Sequence, residues 1–185
     1  MAQKNEFSGL LNVSAQKLLA AIARAGNDSL YGAELSRLTG LSKGAANQSL
    51  RKLLEFGLVS KERRGREHYY MINKGIPAMK EFKIFFNLVE LFPLVSKIKK
   101  YSKSIILFGS CAQGADLHDS DVDLFIVSAE KKTVNQIVSD FSKKNSRKIA
   151  ALVFEPLEAI RLRRKDPVLM TEIEKGIAVW RDFVE

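Results

Sequence analysis

Apolar residues recur at helical spacing in three segments near the N-terminus. The period predicts amphipathic helices at residues 12–25, 31–38 and 43–56. The third predicted helix follows a turn in which Ser42 is a suitable N-cap, and it ends at Gly57. The first part of the chain is therefore predicted to be a small helical unit.

Strand-forming residues follow these helices. They predict two strands, at residues 58–63 and 66–72, around the tight turn at Arg64-Gly65. Residues 76–100 then predict a helix with a kink near Pro93. This helix is apolar on so many sides that we expect it to be buried, either as a bridge between domains or against a second copy of the chain in a homodimer.

Strand and helix patterns alternate in the second half of the chain. The predicted strands lie at residues 104–108, 122–127, 149–154 and, as an edge strand, 177–180. Helices are predicted at residues 132–144 and 157–164, and a short helix begins at Asp166-Pro167. This order predicts an α+β fold for residues 101–185.

The full chain has a formal net charge of +9. The positive charge is concentrated in its first half. Residues 1–75 carry 12 Lys and Arg against 6 Asp and Glu, and residues 76–100 carry 5 against 2. Residues 101–185 carry 13 of each sign, so this part is neutral. The distribution indicates that the first half meets a polyanion.

The remaining composition excludes several classes of protein. Cys111 is the only cysteine, which excludes a disulfide framework, and His68 and His118 form no cluster with other metal ligands. No apolar run in the sequence reaches the ~18 residues of a membrane span, and residues 1–9 lack a secretory hydrophobic segment. We therefore expect a cytoplasmic protein with no membrane partner.

One segment between two predicted strands carries the clearest chemistry. Asp121 and Asp123 begin a strand one residue apart, so their side chains point the same way, about 7 Å apart along the backbone. Carboxylate oxygens in this arrangement suit Mg²⁺ or Mn²⁺. Gly109 allows a tight turn close to a ligand, and Ser110 adds a hydroxyl and an N–H that can cradle phosphate. These are the parts of metal-assisted phosphoryl or nucleotidyl transfer.

This spacing resembles the signature of a known superfamily. Gly109-Ser110, ten further residues and then Asp121-Val122-Asp123 resemble the DNA polymerase β nucleotidyltransferases, and more narrowly the minimal nucleotidyltransferases of bacteria and archaea. Ser120 also fits the pattern. The resemblance implies that the aspartate pair binds two metals and that Gly109, Ser110 and Ser120 bind the nucleotide, with ATP as the expected triphosphate.

The pattern departs from this family at one point. The family carries a third carboxylate on a later strand, in an Asp-Leu-Val pattern, and Ala151 holds that place here. Glu155 has the same strand parity but lies about 13 Å farther along a strand. A missing third carboxylate removes the expected general base and weakens the metal that activates the acceptor hydroxyl. The sequence therefore supports a nucleotide site more firmly than catalysis.

Residues 10–75 resemble a second known architecture. Three helices followed by a hairpin, with a Leu-x-x-Leu-Leu-x-x-Gly-Leu-Val junction, resemble the winged helix-turn-helix of MarR- and ArsR-type regulators. A recognition helix needs polar residues opposite its apolar side, and a wing needs cations at its tip. The residues predicted to contact duplex DNA are Ser42, Lys43, Asn47, Gln48, Arg51, Arg63, Arg64 and Arg66. A helix and hairpin used for protein contact remain the alternative.

The sequence as a whole predicts a winged helix at residues 1–75, a helical linker at 76–100 and a polymerase β-type nucleotidyltransferase domain at 101–185. The predicted activity is Mg²⁺-dependent transfer of a nucleoside monophosphate to an acceptor hydroxyl, for which a protein acceptor or partner is one option. The alternative is a DNA-binding regulator whose second domain binds nucleotide without turnover.

Overall fold

The computed structural model describes residues 12–26, 28–73, 75–76, 78–145 and 147–182. The chain divides into two compact units, Met1–Met79 and Lys80–Glu185. None of the helices within the described ranges combines the length and the apolar composition that crossing a membrane requires. Residues 1–9, predicted to lack a secretory segment, lie outside the described residues.

The first unit begins with the three predicted helices, α1 (Val13–Arg24), α2 (Gly32–Thr39) and α3 (Lys43–Glu55). Each helix buries leucines from the apolar stripe that predicted it, among them Leu18, Leu35 and Leu50. Ser42 caps α3 as predicted, since its Oγ accepts the N–H of Ala45 at 3.3 Å. The cap fixes where α3 starts and therefore which of its residues face outward.

A three-stranded antiparallel sheet completes this unit. The predicted hairpin forms strands β2 (Val59–Arg64) and β3 (Glu67–Ile72), joined at Gly65, whose φ is +62°. A short strand, β1 (Leu30–Tyr31), pairs with β3 and gives the strand order β1-β3-β2. The sequence did not predict this strand because two residues are too few to show a period. Three helices and a hairpin thus form the expected winged-helix arrangement.

Helix α4 (Ala78–Ile98) lies almost wholly in the second unit and continues through Pro93. One side of it is buried in the core of that unit by residues such as Leu94 and Ile98. The other side is exposed at Phe85, Val89 and Phe92, which keep 51%, 53% and 71% of their accessible surface. The core of the second unit therefore covers only one side of this helix, and burial of the other side against a second copy of the chain stays a prediction.

The second unit is built on a four-stranded sheet with the order β6-β5-β4-β7. The strands are β4 (Ser104–Phe108), β5 (Val122–Val127), β6 (Ile149–Phe154) and β7 (Ile177–Arg181). Strand β4 is antiparallel to both neighbours, whereas β5 and β6 run parallel. The helices are α5 (Gly109–Gln113), α6 (Lys131–Lys144), α7 (Pro156–Lys165) and α8 (Pro167–Glu174). Helix α5 was not predicted, because five residues are too few to give a helical period.

The two faces of this sheet have separate apolar cores. Leu124 and its even-numbered neighbours on β5 pack with α4 and α6, for example against Val134. Phe125 faces the other way and packs with Leu162 of α7 and Ile173 of α8. Since strand side chains alternate, Asp123 lies on the face of Phe125, at the end of β5 where the strand begins.

Candidate active site

Gly109 marks the point where β4 ends and α5 begins. Its φ is +67°, a conformation that favours glycine. A Cβ built on Gly109 would lie 2.5 Å from Oδ2 of Asp123, so a larger residue would force the Asp123 side chain to shift. Glycine therefore lets the Asp123 carboxylate lie directly in front of this turn. Ser110, the next residue, is half-buried in the first turn of α5.

Asp121 and Asp123 meet at this turn. Asp123 pairs with Phe108, the last residue of β4, and Asp121 directly precedes β5. Burial, and then the nearby charge of Asp121, raise the pKa of the Asp123 carboxyl above its usual range, with Lys148 acting in the opposite direction. The two carboxylates thus repel each other, which is the situation that a divalent cation relieves.

Lys148 contributes a cation to the same place. Its Nζ lies 2.8 Å from Oδ2 of Asp121, and the side chains keep 73% and 38% of their exposure. The hydrogen bond to Asp121 and the charge of that carboxylate raise the pKa of the Lys148 ammonium. The site therefore contains two carboxylates and one ammonium group, close together where strands β5 and β6 begin.

A divalent metal fits this arrangement only in part. Within the described ranges, no three or more His, Cys, Asp and Glu side chains gather where they could hold a metal ion. Mg²⁺, however, is commonly bound by one or two carboxylates together with substrate phosphates and water. Asp121 and Asp123 are suitable ligands of that kind for one ion. A second ion would need a ligand that β6 does not supply.

The position predicted for the missing third carboxylate was wrong. Ala151 pairs with Leu124 and packs in the core with α4 and α6, on the face opposite the aspartates. Ala150 is the residue that pairs with Asp123. Glu155 follows the end of β6 and begins helix α7, where its N–H donates to Glu158. The sequence shows which residues of β6 share a face, but not which of them pair with residues of β5. A shift of one residue in that pairing moves every side chain of β6 to the opposite face of the sheet.

Ser120 shapes the loop before the aspartates. Its Oγ accepts the N–H of Leu117 at 2.8 Å, and its own N–H donates to the carbonyl of Leu117 at 3.1 Å. The hydroxyl is therefore engaged as an acceptor, with its hydrogen available for donation. This tight turn delivers the chain directly to Asp121.

A buried polar network, which the sequence did not reveal, lies behind the site. Asp116 is fully buried and accepts from Asn87 Nδ2 at 3.1 Å and from Arg147 Nη2 at 3.3 Å. Lys83 of α4 donates to the carbonyl of Asp116 and lies 3.8 Å from its Oδ1. Arg147 Nη1 also donates to Asn87 Oδ1 at 2.8 Å. Two cations thus compensate one buried carboxylate.

This network connects directly to the backbone of the site. Arg147 Nη2 lies 3.3 Å from the carbonyl of Ser120 and 2.9 Å from Cys111 Sγ. Cys111 in turn donates to the carbonyl of Asp121 at 3.3 Å. Burial raises the pKa of the Cys111 thiol, which favours the neutral thiol that donates this hydrogen bond. In the sequence, Arg147 lies in a basic run with Lys143, Lys144 and Lys148, and most such runs are solvated, so its burial was not predicted.

The predicted DNA-contacting residues of α3 lie on one exposed face of that helix. Helix α3 buries Ala46, Ser49, Leu50 and Leu53. Its exposed residues include the predicted set Lys43, Asn47, Gln48 and Arg51, preceded by the exposed Ser42. Polar side chains on the open face of such a helix can reach base edges and phosphates.

The three wing arginines differ in their surroundings. Arg64 is paired with Glu62 at 2.8 Å, bonds Ser29 at 3.0 Å and lies 4.9 Å from the centre of the Tyr69 ring. Arg63 lies on the opposite face of β2 from Arg64, and on the same face as the buried Val59. Arg66 is exposed in the turn. Arg63, rather than Arg64, therefore lies on the side of β2 that faces the helices of this unit.

Both predicted domains match the models of known protein families. Residues 88–178 match the family model of the nucleotidyltransferase domain, and residues 12–68 match that of the MarR family. The chain therefore joins a MarR-family winged-helix domain to a nucleotidyltransferase domain, as the motifs predicted. No curated protein matches the chain at a significant level.

Several solved structures are similar to parts of the chain. A predicted DNA-binding transcriptional regulator from E. coli is 25% identical, with a TM-score of 0.35, and the match covers 44% of this chain and 83% of that one. A candidate nucleotidyltransferase from Sulfolobus solfataricus is 17% identical, with a TM-score of 0.39 and coverage of 59% and 93%. The toxin–antitoxin complex MntA–HpeT is 16% identical, with a TM-score of 0.37 and coverage of 52% and 74%. TM-scores this low add no weight to the family assignment.

The register of β5 and β6 gives a paired test. We expect Ala150→Asp to strengthen Mn²⁺ binding roughly tenfold, because it adds a carboxylate level with Asp123. Ala151→Asp should instead destabilise the protein by about 2–4 kcal/mol, since it places a charge in an apolar core. Isothermal titration and urea unfolding measure the two effects. The same result for both variants would contradict the register.

The buried network gives a stability prediction. Asp116→Asn should lower the free energy of unfolding by about 3–5 kcal/mol, because Lys83 and Arg147 lose the charge of a fully buried carboxylate, whereas the Glu90 carboxylate, 3.5 Å from Arg147, is half exposed. Asp119→Asn, on the same loop but exposed, should change it by less than about 0.5 kcal/mol. Urea unfolding of both variants is the measurement. Equal stability of Asp116→Asn and the unsubstituted chain would show that the network contributes no net stability.

Proposed function

We propose that this protein is a Mg²⁺-dependent enzyme that transfers a nucleoside monophosphate from a nucleoside triphosphate, with ATP as the expected donor, to an acceptor hydroxyl. The observation that carries the proposal is that the Asp121 and Asp123 carboxylates lie close together. Asp123 lies directly in front of Gly109, where a larger residue would collide with it. The acceptor hydroxyl belongs to a protein, a nucleic acid or a small molecule.

Each residue of the site has a separate role in this reaction. Asp121 and Asp123 would hold a divalent cation, whose charge polarises the α-phosphate and stabilises the leaving pyrophosphate. Gly109 and Ser110 would position the β- and γ-phosphates with backbone N–H groups at the start of α5. Ser120 can donate its hydroxyl hydrogen to a phosphate oxygen. Positioning and charge neutralisation supply most of the catalysis in phosphoryl transfer.

One observation favours the second candidate, a regulator that binds nucleotide without turnover. The site-facing positions of β6 and the residue before it are Leu152, Ala150 and Lys148, none of which is an acid. A carboxylate there is the expected general base for the acceptor hydroxyl. Without one, deprotonation depends on the acceptor itself or on a partner protein. Binding of nucleotide does not depend on it.

The first domain supports recognition of duplex DNA in either case. We propose that α3 enters the major groove with Asn47 and Gln48 toward base edges, while Ser42, Lys43 and Arg51 contact phosphates. Arg63 and Arg66 of the wing would lie against the neighbouring backbone. The three exposed apolar residues of α4 support a homodimer through residues 76–100, as expected for a protein that reads two half-sites.

Nucleotide binding is the first test of the active site. Mg²⁺ with a non-hydrolysable ATP analogue should raise the melting temperature of the full chain, because a ligand at a hundredfold excess over its Kd stabilises by about 2.7 kcal/mol. The combined changes Asp121→Asn and Asp123→Asn should abolish the metal-dependent part of this shift. Asp119→Asn, an exposed acid of the same loop, is the matched control.

Labelled nucleoside triphosphates then separate the two candidate functions. The full chain is incubated with α-labelled ATP, Mg²⁺ or Mn²⁺ and cell lysate. Label on a macromolecule or metabolite, lost with the double aspartate variant, supports the enzyme. Tight nucleotide binding with no transfer supports the regulator, and an unchanged melting curve with every nucleoside triphosphate contradicts both.

DNA binding is tested by its dependence on salt. Each phosphate contact contributes about −0.9 to the slope of log K against log salt concentration. Arg63→Ala with Arg66→Ala should therefore flatten the slope by about two units, whereas Arg64→Ala should change it less because Arg64 is already paired with Glu62. Asn47→Ala should alter base preference by about 1–3 kcal/mol. Absence of salt-sensitive binding at micromolar concentration would leave the domain as a protein-contact module.

A further inference from the structure

Lys148 is held level with Asp121 by the backbone of the sheet. The N–H of Val122 donates to the carbonyl of Lys148 at 2.9 Å, and the next residues pair as Val122 with Ile149. Lys148 directly precedes Ile149, and Asp121 directly precedes Val122, so Lys148 and Asp121 are neighbours across the two strands. The side chains of Lys148 and Asp121 therefore lie on the same face of the sheet. The ion pair of 2.8 Å follows from this register.

The ammonium group of Lys148 occupies an oxygen that a metal would use. A divalent cation on Asp121 and Asp123 would lie within a few ångströms of this positive charge, and like charges at that distance oppose each other. Binding of a metal alone therefore either displaces the Lys148 ammonium from Asp121 or places a second positive charge beside it. Nothing comparable opposes a metal that arrives with a triphosphate, because phosphate oxygens offer the ammonium a new partner.

We propose that Lys148 makes cation binding at Asp121 and Asp123 depend on the nucleotide. Without nucleotide, the lysine is the counter-ion of Asp121 and weakens the binding of a divalent cation. With nucleotide, the same ammonium moves to the triphosphate and supplies the positive charge that a second metal would otherwise carry. The inference rests on the proposed nucleotide site and adds the order in which its charges assemble.

The exposure of Lys148 is consistent with such a movement. Its side chain is 73% exposed, so packing does little to oppose a change of rotamer. The adjacent Arg147, in contrast, is fixed by Asp116 and Asn87. Coupling of this kind is reciprocal: the nucleotide raises metal affinity by the same factor as the metal raises nucleotide affinity. Removing the lysine charge should reduce that factor.

The test compares metal and nucleotide binding in the full chain. Lys148→Met keeps the length of the side chain and removes its charge. We expect Mn²⁺ alone, followed by electron paramagnetic resonance, to bind this variant roughly fivefold more tightly than it binds the unsubstituted chain. We also expect the Mg²⁺ complex of a non-hydrolysable ATP analogue to bind the variant roughly fivefold more weakly. The opposite signs distinguish the proposed role from general damage to the site.

Two further variants complete the experiment. Lys132→Met removes an exposed lysine of α6, on the other face of the sheet, and should change neither affinity. Lys148→Arg retains the charge and should keep Mn²⁺ binding weak. If Lys148→Met leaves Mn²⁺ affinity unchanged while the analogue still binds, the inference fails and the nucleotide site stands. If the unsubstituted chain binds no nucleotide with any metal, both fail.

Discussion

The buried Asp116 carboxylate connects the parts of the second domain that form the site. It receives Lys83 and Asn87 from α4 and Arg147 from the segment before β6, two places far apart in the sequence. A carboxylate in a dry interior is costly unless its charge is compensated and its oxygens are hydrogen-bonded. Because the two cations come from different elements, they restrain the loop between α5 and β5 from two directions. This restraint helps to fix where Asp121 leaves the loop.

The geometry of the site follows from this loop and from the absence of a side chain at Gly109. Arg147 and Cys111 bind the carbonyls of Ser120 and Asp121, so the backbone before β5 is fixed on its inner side. On the outer side, the Asp123 carboxylate fills the space in front of Gly109. The carboxylates are therefore placed by contacts that exist before any ligand arrives. Such preorganisation lowers the entropic cost of binding a charged substrate.

The sequence predicted those parts of the molecule that depend on local spacing. Asp121, Asp123 and Gly109 lie within one short segment, and the polar face of α3 follows from one helical period, so their arrangement could be derived. The face of Ala151 could not, because it depends on register between strands separated by a whole helix. Asp116 and Arg147 were missed for a related reason. Their partners lie on three elements, and nothing local distinguishes a buried charge from a solvated one.

Two neighbouring cations before β6 show how one register governs both the scaffold and the chemistry. Arg147 points into the core and compensates Asp116, whereas Lys148 points outward and pairs with Asp121. Adjacent residues of an extended chain face opposite sides, so a slip of one residue would exchange the two roles.

A lysine in the buried position could not make the several directed bonds of the Arg147 guanidinium. An arginine in the outer position would hold Asp121 with a forked contact that a metal would displace less readily. The order arginine then lysine therefore gives a rigid scaffold on one side of the strand and an exchangeable charge on the other.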